Sequence, residues 1–436
     1  MQLSSFQNSS GSGLWRRERR MWTNSGTHTW VVPQGVTKVF AFVIGAGGGG
    51  YAYNEYHTSK FYHGGCGGGY AHGVCPVTPG GSITITVGRG GTGYNRIIAT
   101  SGNAGGNSSF GSFLTGNGGN GGSYTTSDNG NQDGNGGSAS TSGVTEAYTA
   151  AGGKVRDAYR GSYIYGAGSS FPSGMFYGLS GGASSGSPFG IGRSPRRTGG
   201  TGICGGGAGW AYEQDFGGSF SLNSSEFRQQ RNAFPGEGSH RYPQSLGSWS
   251  DRMYSNTSRY MTPSRGGHGL ISKGGQSYAE AGFSVSNDSN YTYGRSINLN
   301  IMHGEDQPWW FPWEVDGGGG GAGIPMEQDN WHDGFFEGGR GGSGAGGGGV
   351  LSGMYAQSLV VTGGQGGFGG GGGSAGYGRD HYNNEPGVTK GGNGGIGGGG
   401  GAAWTHKDWG NNAYSNDRNH TAFGGHGGNG CVCVYW

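Results

Sequence analysis

Apolar and polar residues alternate with a period of two in short runs near both ends of the chain, a pattern that predicts β-strands. Residues 27–32 (THTWVV) alternate and then meet Pro33-Gln34-Gly35, a turn-forming triplet. Residues 37–44 (TKVFAFVI) make the strongest predicted strand, and 70–77 (YAHGVCPV) make another before a turn at Pro79-Gly80-Gly81. Residues 82–87 (SITITV) put Ile83, Ile85 and Val87 on one face. Late in the chain, 358–362 (SLVVT) and 431–436 (CVCVYW) read as strands. The expected scaffold is antiparallel, with its first and last strands paired. Helix is disfavoured nearly everywhere, because glycine interrupts every apolar 3.6-residue period within about ten residues. Each helical glycine also costs about 1 kcal/mol relative to alanine. Only 225–232 (SEFRQQRN) suits a helical turn or two.

Composition explains the interruptions. Of 436 residues, 111 are glycine, whereas 31% are hydrophobic and 12% charged, with a formal net charge of +2. Thirteen prolines and a broken Gly-X-Y register exclude collagen. No apolar run has the length of a membrane span, so no membrane insertion is expected. The first twenty residues lack the apolar core of a secretory signal. A charge this close to neutral argues against a nucleic-acid partner. Flexible glycine linkers are poor in aromatic residues, yet 13% of this chain is Phe, Trp or Tyr, so glycine is read as building material.

The glycines concentrate in tracts at 45–50, 64–69, 116–122, 317–323, 338–349, 363–376, 391–401 and 424–430, several of which repeat as Gly-Gly-X. A period of three fits a left-handed helix of the polyproline II type, which rises about 3.1 Å per residue and makes no internal hydrogen bonds. Its N–H and C=O groups point outward and need partners when buried. Side-by-side packing of such rods supplies them wherever only hydrogen occupies the crowded faces. A twelve-residue tract in one rod would span roughly 37 Å. Ordering each residue costs about 1–2 kcal/mol, more for glycine, and each hydrogen bond returns only about 0.5–1.5 kcal/mol. Strands and aromatic side chains must therefore supply the surplus. The opposing reading makes the tracts flexible spacers, which proteases would cut sharply. The fold class expected is thus mainly β with packed polyglycine II helices and almost no α-helix.

Residues 26–50 (GTHTWVVPQGVTKVFAFVIGAGGGG) and 67–91 (GGGYAHGVCPVTPGGSITITVGRGG) run strand, Pro-x-Gly-Val, strand, glycine tract, strand, Pro-Gly turn, strand. With the closing G-x-G-x-V-x-V-Y at 428–435, this resembles the glycine-rich domain of bacteriophage tail-fibre proteins. The late tracts resemble distal tail-fibre adhesins, in which a sandwich of polyglycine II rods presents variable loops to the host. Similar sequence occurs in animal receptor ectodomains. The resemblance implies a virion protein made in the host cytoplasm and placed at a tail fibre or tail tip. It implies binding of a bacterial surface polysaccharide or outer-membrane protein, no enzymatic activity and no cofactor; a homo-oligomer such as a trimer is compatible with it. Four regions follow: an attachment arm at 1–25, the domain opening at 26–122, a loop-rich aromatic and polar insertion at 123–316, and rods with a closing strand at 317–436. The alternatives are a purely structural virion decoration, connector or fibre protein, and an extracellular glycine-rich structural protein.

The segments between tracts are rich in aromatic, Asn, Ser and Arg residues, the composition of antibody paratopes. Those at 51–63, 377–385 and 405–420 are the candidate binding loops, with Tyr53, Tyr56, Tyr62, Tyr377, Arg379, His381, Tyr382, Trp404, Trp409 and Tyr414 as candidate receptor contacts. The run at 309–313 (WWFPW) reads as core. In the arm, Trp15, Arg16, Arg17, Arg19, Arg20 and Trp22 are candidates for docking onto other virion or tail-fibre proteins, with Arg pairing carboxylates. Other signals are weak. The G-x-G-x-x-G at 45–50 needs a following helix to bind a dinucleotide, and the next residues make a poor one. His57, His63, Cys66, His72 and Cys75 match no common zinc spacing, so no metal site is expected. Glu305, Asp306, Glu314 and Asp316 read as solvated charges rather than a glycosidase pair. Five cysteines, Cys66, Cys75, Cys204, Cys431 and Cys433, are expected as reduced, buried small hydrophobes.

Overall fold

The structure, a computed structural model, describes residues 18–55, 61–94, 102–125, 134–155, 178–195, 199–203, 213–215, 259–261, 334–352, 359–377, 387–406 and 420–436. The chain is built from strands and rods, with no helix among the described residues. The first strands are β1 Arg19–Trp22, β2 Gly26–Val31, β3 Lys38–Ile44, β4 Ala52–Glu55, β5 Phe61–Tyr62, β6 Tyr70–Pro76, β7 Ser82–Val87 and β8 Ser108–Phe110. Next come β9 Leu114–Gly116, β10 Tyr124–Thr125, β11 Ala139–Thr141, β12 Thr145–Ala150, β13 Gly178–Leu179, β14 Glu213–Asp215 and β15 Arg259–Met261. The last are β16 Gly334–Glu337, β17 Val350–Ser352, β18 Leu359–Thr362, β19 Ala375–Tyr377, β20 Gly387–Lys390, β21 Ala403–His406, β22 His420–Phe423 and β23 Cys431–Tyr435.

Two five-stranded sheets, ordered β1-β23-β3-β6-β12 and β11-β9-β8-β7-β2, form a sandwich at one end. Alternation decides what each strand buries. On β3, Val39, Ala41 and Val43 face the inter-sheet core with Trp22, Trp30, Ile85, Val87, Phe110, Leu114, Val432 and Val434. The opposite face carries Phe42, Ile44, Tyr70, Cys431 and Cys433. Ile83, Ile85 and Val87 do share one side of β7, as their spacing predicts. The first and last strands do pair, β1 with β23, but the strand expected to come first, 27–32, is not the partner: 26–31 pairs with β7 in the other sheet, and β3 flanks β23 on its other side. At the start of the region expected as an insertion, 123–316, β11 and β12 complete the two sheets. The segments 225–232, 309–313 and 317–323, the residues Glu305, Asp306, Glu314 and Asp316, and Cys204 lie outside the described residues.

Most of the sandwich strands continue directly into glycine rods or emerge from them, and the rod at 45–50 shows how they are held. Gly45, Gly48 and Tyr51 donate their N–H groups to Gly69, Cys66 and His63. Ala46 and Gly49 donate to Gly106 and Asn103, and Gly47 and Gly50 to Gly428 and Gly425, all at 2.8–3.0 Å. Every third residue thus turns to the same neighbour, the signature of a three-residue helix. The carbonyls follow the same rule: Ala46 and Gly49 accept from Gly119 and Gly122, Gly47 and Gly50 from Gly91 and Tyr94, and Gly48 from Gly400. One rod therefore binds six others, three antiparallel through its N–H groups and three parallel through its carbonyls. A Cβ on Gly45, Gly47, Gly48, Gly49 or Gly50 would collide with a neighbouring carbonyl. The G-x-G-x-x-G here is consequently a rod leading to a strand, not the start of a nucleotide-binding helix.

The late tracts correct the expectation of single long rods. Each is a hairpin: 338–342 runs out and 345–349 runs back, and the pattern recurs at 363–367 with 370–374 and at 391–395 with 398–402. Each leg spans roughly 15 Å at the polyproline II rise. Gly344, Gly369 and Gly397 turn the corners with φ of 80°, 73° and 75°, which only glycine adopts without strain. Phe368 and Ile396, just before two of these corners, pack on the outer face of β3 and β23 and bolt the hairpins to the sandwich.

Where rods reach the surface, side chains replace missing neighbours. Asn393 Oδ1 accepts from His426 N–H at 2.8 Å, His426 Nδ1 from Gly93 N–H at 3.0 Å, and Asn429 Oδ1 from Gly90 N–H at 3.0 Å. The polar X residues Asn393, His426 and Asn429 of Gly-Gly-X are therefore backbone caps at the edge of the bundle.

Candidate functional site

At the end of the rods opposite the sandwich, the chain changes from glycine back to side chains. The outer legs are entered through a parallel sheet, β16-β18-β20-β22, and the inner legs leave through a second, β17-β19-β21-β4. Parallel rods with one rise deliver parallel strands in register: Ala403 lies opposite Ala52, and Ala375 opposite Ala403. A third small sheet, β10-β5-β13, completes this end. The elements that bracket 56–60, 95–101, 126–133, 156–177, 353–358, 378–386 and 407–419 all terminate here. Two of the three predicted loops, 377–385 and 405–420, and the middle of the third thus leave from a common platform, although they are far apart in sequence.

An aromatic collar seals the junction. The Tyr51 ring stacks on Tyr62 at 5.9 Å and on Tyr94 at 4.8 Å, and Tyr124 lies 5.5 Å away. Tyr51, Tyr62 and Tyr94 are buried, while Tyr124 is 44% exposed. Such rings bring the apolar burial that glycine cannot. Their sequence signal is position rather than composition: Tyr51 and Tyr94 each directly follow a glycine, where a rod ends.

The expected contact residues divide accordingly. Tyr62 and Trp404 are fully buried, which corrects their assignment as receptor contacts: they close the rod ends instead. Tyr53 and Tyr377 lie on β4 and β19, on the platform itself. Tyr56, Arg379, His381, Tyr382, Trp409 and Tyr414 lie outside the described residues. Among the docking candidates, Trp22 is also corrected, since it packs in the inter-sheet core with Arg20 over its ring at 5.1 Å. Arg19 and Arg20 are exposed on β1, and Trp15, Arg16 and Arg17 lie outside the described residues.

The ionisable groups near the rods are tuned for packing. Burial pushes the Cys66 thiol up to about 11 and Cys75 to about 12, so both stay protonated and unreactive at neutral pH. Cys66, Cys75, Cys431 and Cys433 are all buried and free of disulfides. His72 lies on the outer face of β6, bonded to the Tyr70 hydroxyl at 2.8 Å, whereas Cys75 faces the inter-sheet core. No group of metal-binding side chains occurs among the described residues.

His63, beside the collar, is buried, and neither ring nitrogen has a hydrogen-bond partner. Burial lowers its pKa from 6.5 to about 4. The unfolded chain therefore takes up this proton first as pH falls. Stability should be full above about pH 6.5 and decline between 6.5 and 4, by at most about 3 kcal/mol. Thermal unfolding at pH 7 and pH 4.5 should show this loss, and His63→Leu should remove most of it.

A search of curated proteins found no match. The family model of the glycine-rich domain matches residues 23–249, which include both sheets of the sandwich except β1 and β23, and the first rods with their collar. That match covers more than half of the 436 residues, and the chain belongs to the glycine-rich domain family.

Proposed function

We propose that this protein is a bacteriophage virion protein, a tail-fibre or tail-tip adhesin that binds a bacterial surface receptor through loops carried on its rods. The observation that carries this reading is the convergence, on one end of the bundle opposite the sandwich, of the elements that bracket the inter-tract segments. A rigid base with little room for side chains, joined to segments rich in Tyr, Trp, Asn and Arg, separates framework from recognition surface as an antibody domain does. Polysaccharide and outer-membrane protein both suit such a surface, through aromatic faces and Arg or Asn hydrogen bonds. The burial of Tyr62 and Trp404 takes both out of the exchangeable set, and the exchange proposed is of 56–60, 378–386 and 407–419, between the platform strands.

Replacing those three segments together with Gly-Ser linkers of equal length should abolish adsorption to host cells while the unfolding midpoint stays within a few degrees. Undiminished adsorption by the folded variant would assign the protein instead to the structural decoration or connector reading.

A further inference from the structure

The sandwich has four sheet edges, and three are obstructed. β1 presents the exposed charges Arg19 and Arg20, β11 is only three residues long, and β12 is broken by a bulge with Glu146 at a φ of 51°. Natural sheets use such devices to prevent pairing with other chains. The fourth edge, β2, has none of them. Its six residues, GTHTWV, contain no charged residue, proline or bulge and pair in continuous register with β7.

The hydrogen bonds fix which groups of β2 face outward. Val32 N–H donates to Gly81, and Gly111 N–H donates to Thr84, on the far side of β7. Backbone alternation then turns Gly26, His28 and Trp30 toward β7 and Thr27, Thr29 and Val31 away from it. The outward N–H and C=O groups of Thr27, Thr29 and Val31 have no partner among the described residues. Their side chains are exposed as well, Val31 to 58%. Behind them, Trp30 packs against Phe110 and Trp436, so the edge is held rigid from inside.

The geometry points to β2 as a strand-addition site for an extended, acidic segment of another protein. The charge of the occupant follows from β1, which lies on the same side of the sandwich because β11 packs on β12 at the other side and β7 on β23. Arg20 alternates with Trp22 toward the facing sheet, as its register with Val434 requires, and is exposed there. A second copy of this chain paired through β2 would bring two such arginines together. Carboxylates flanking an added strand would meet them instead. This site is independent of the loop platform, which lies at the other end of the rods.

The test uses the full chain and two synthetic peptides, Thr-Val-Thr-Val-Thr-Val flanked on both sides by two glutamates or by two lysines. The glutamate peptide should slow amide exchange at Thr27, Thr29 and Val31 at least tenfold and leave Gly26, His28 and Trp30 unchanged. Thr29→Pro removes one outward N–H that the fold does not use, so it should weaken binding at least tenfold without moving the unfolding midpoint. Arg20→Glu should reverse the preference toward the lysine peptide, which provides a second test if the proline variant does not fold. Absence of protection with either peptide, or binding indifferent to both substitutions, would overturn the proposal. So would self-association that protects the same three amides without peptide.

Discussion

Gly48→Val should keep the chain from reaching its folded state. Gly48 lies in the middle of a rod that is bonded on every side: its N–H donates to Cys66 and its carbonyl accepts from Gly400. A Cβ there would overlap the backbone carbonyl of Asn120, which belongs to a third rod. A collision with the tip of a flexible side chain is relieved by rotation, but this one meets backbone that is itself held by hydrogen bonds. The rod would have to move away from its neighbours and break several bonds at once. Even Gly48→Ala should cost more than about 3 kcal/mol, the upper part of the usual range for overpacking. Gly143 provides a contrast: no atom lies within 4 Å of a Cβ there, and only its φ of 64° opposes a side chain. Gly143→Ala should therefore cost only about 1–2 kcal/mol. Gln365→Ala, at an exposed X position, should shift stability by about 0.5 kcal/mol or less. Soluble yield and urea unfolding of the four variants would establish this order.

The second large effect is expected far from the rods. Trp30→Ala should destabilise the protein by about 3–5 kcal/mol. The Trp30 ring is 2% exposed and lies 6.0 Å from Phe110 and 5.3 Å from Trp436. Its consequence should extend beyond the sandwich. Rod hydrogen bonds roughly balance the entropy of ordering glycine, so the apolar burial of the sheets must tip the equilibrium. β3 continues into the rod at 45–50, β7 into 88–93 and β9 into 117–122, while 64–69 feeds β6 and 424–430 feeds β23. Loosened sheets therefore release the rods with them. Urea unfolding monitored separately by tryptophan fluorescence and by rod amide exchange should move by the same free energy in Trp30→Ala.

The local parts of this architecture were legible in the sequence, and the long-range parts were not. Alternation is a local property, so the pattern at 82–87 matches β7 to the residue, and those at 37–44 and 431–436 match β3 and β23 to within one. The period of three exposed the rods for the same reason. The hairpin turns stayed hidden, since in a run such as GGQGGFGGGGG any glycine can adopt the positive φ that Gly369 takes. β11 and β12 were missed because AST is too short and TEAYTA is mostly exposed and bulged at Glu146, so neither alternates cleanly. The identity of the strand beside β23 depends on closure of the whole sandwich, which no window of sequence contains. Composition alone does not separate Tyr62 and Trp404 from loop contacts, because an aromatic ring that closes a rod and one that meets a ligand look alike in it. Their distance from the nearest glycine tract is the better guide: Tyr62 stands two residues before the tract at 64–69 and Trp404 three after Gly401.

The central claim is that the glycine tracts are hydrogen-bonded framework rather than spacer, and amide exchange of Gly45, Gly47, Gly48, Gly49 and Gly50 tests it most directly. Each of these glycines is buried and donates its N–H to a carbonyl of another rod at 2.8–2.9 Å in the structure. Under native conditions they should exchange as slowly as Val43 of β3, through global unfolding alone. Exchange of these glycines at the rate of an unstructured chain, while Val43 stays protected, would contradict the account and make the tracts flexible connectors.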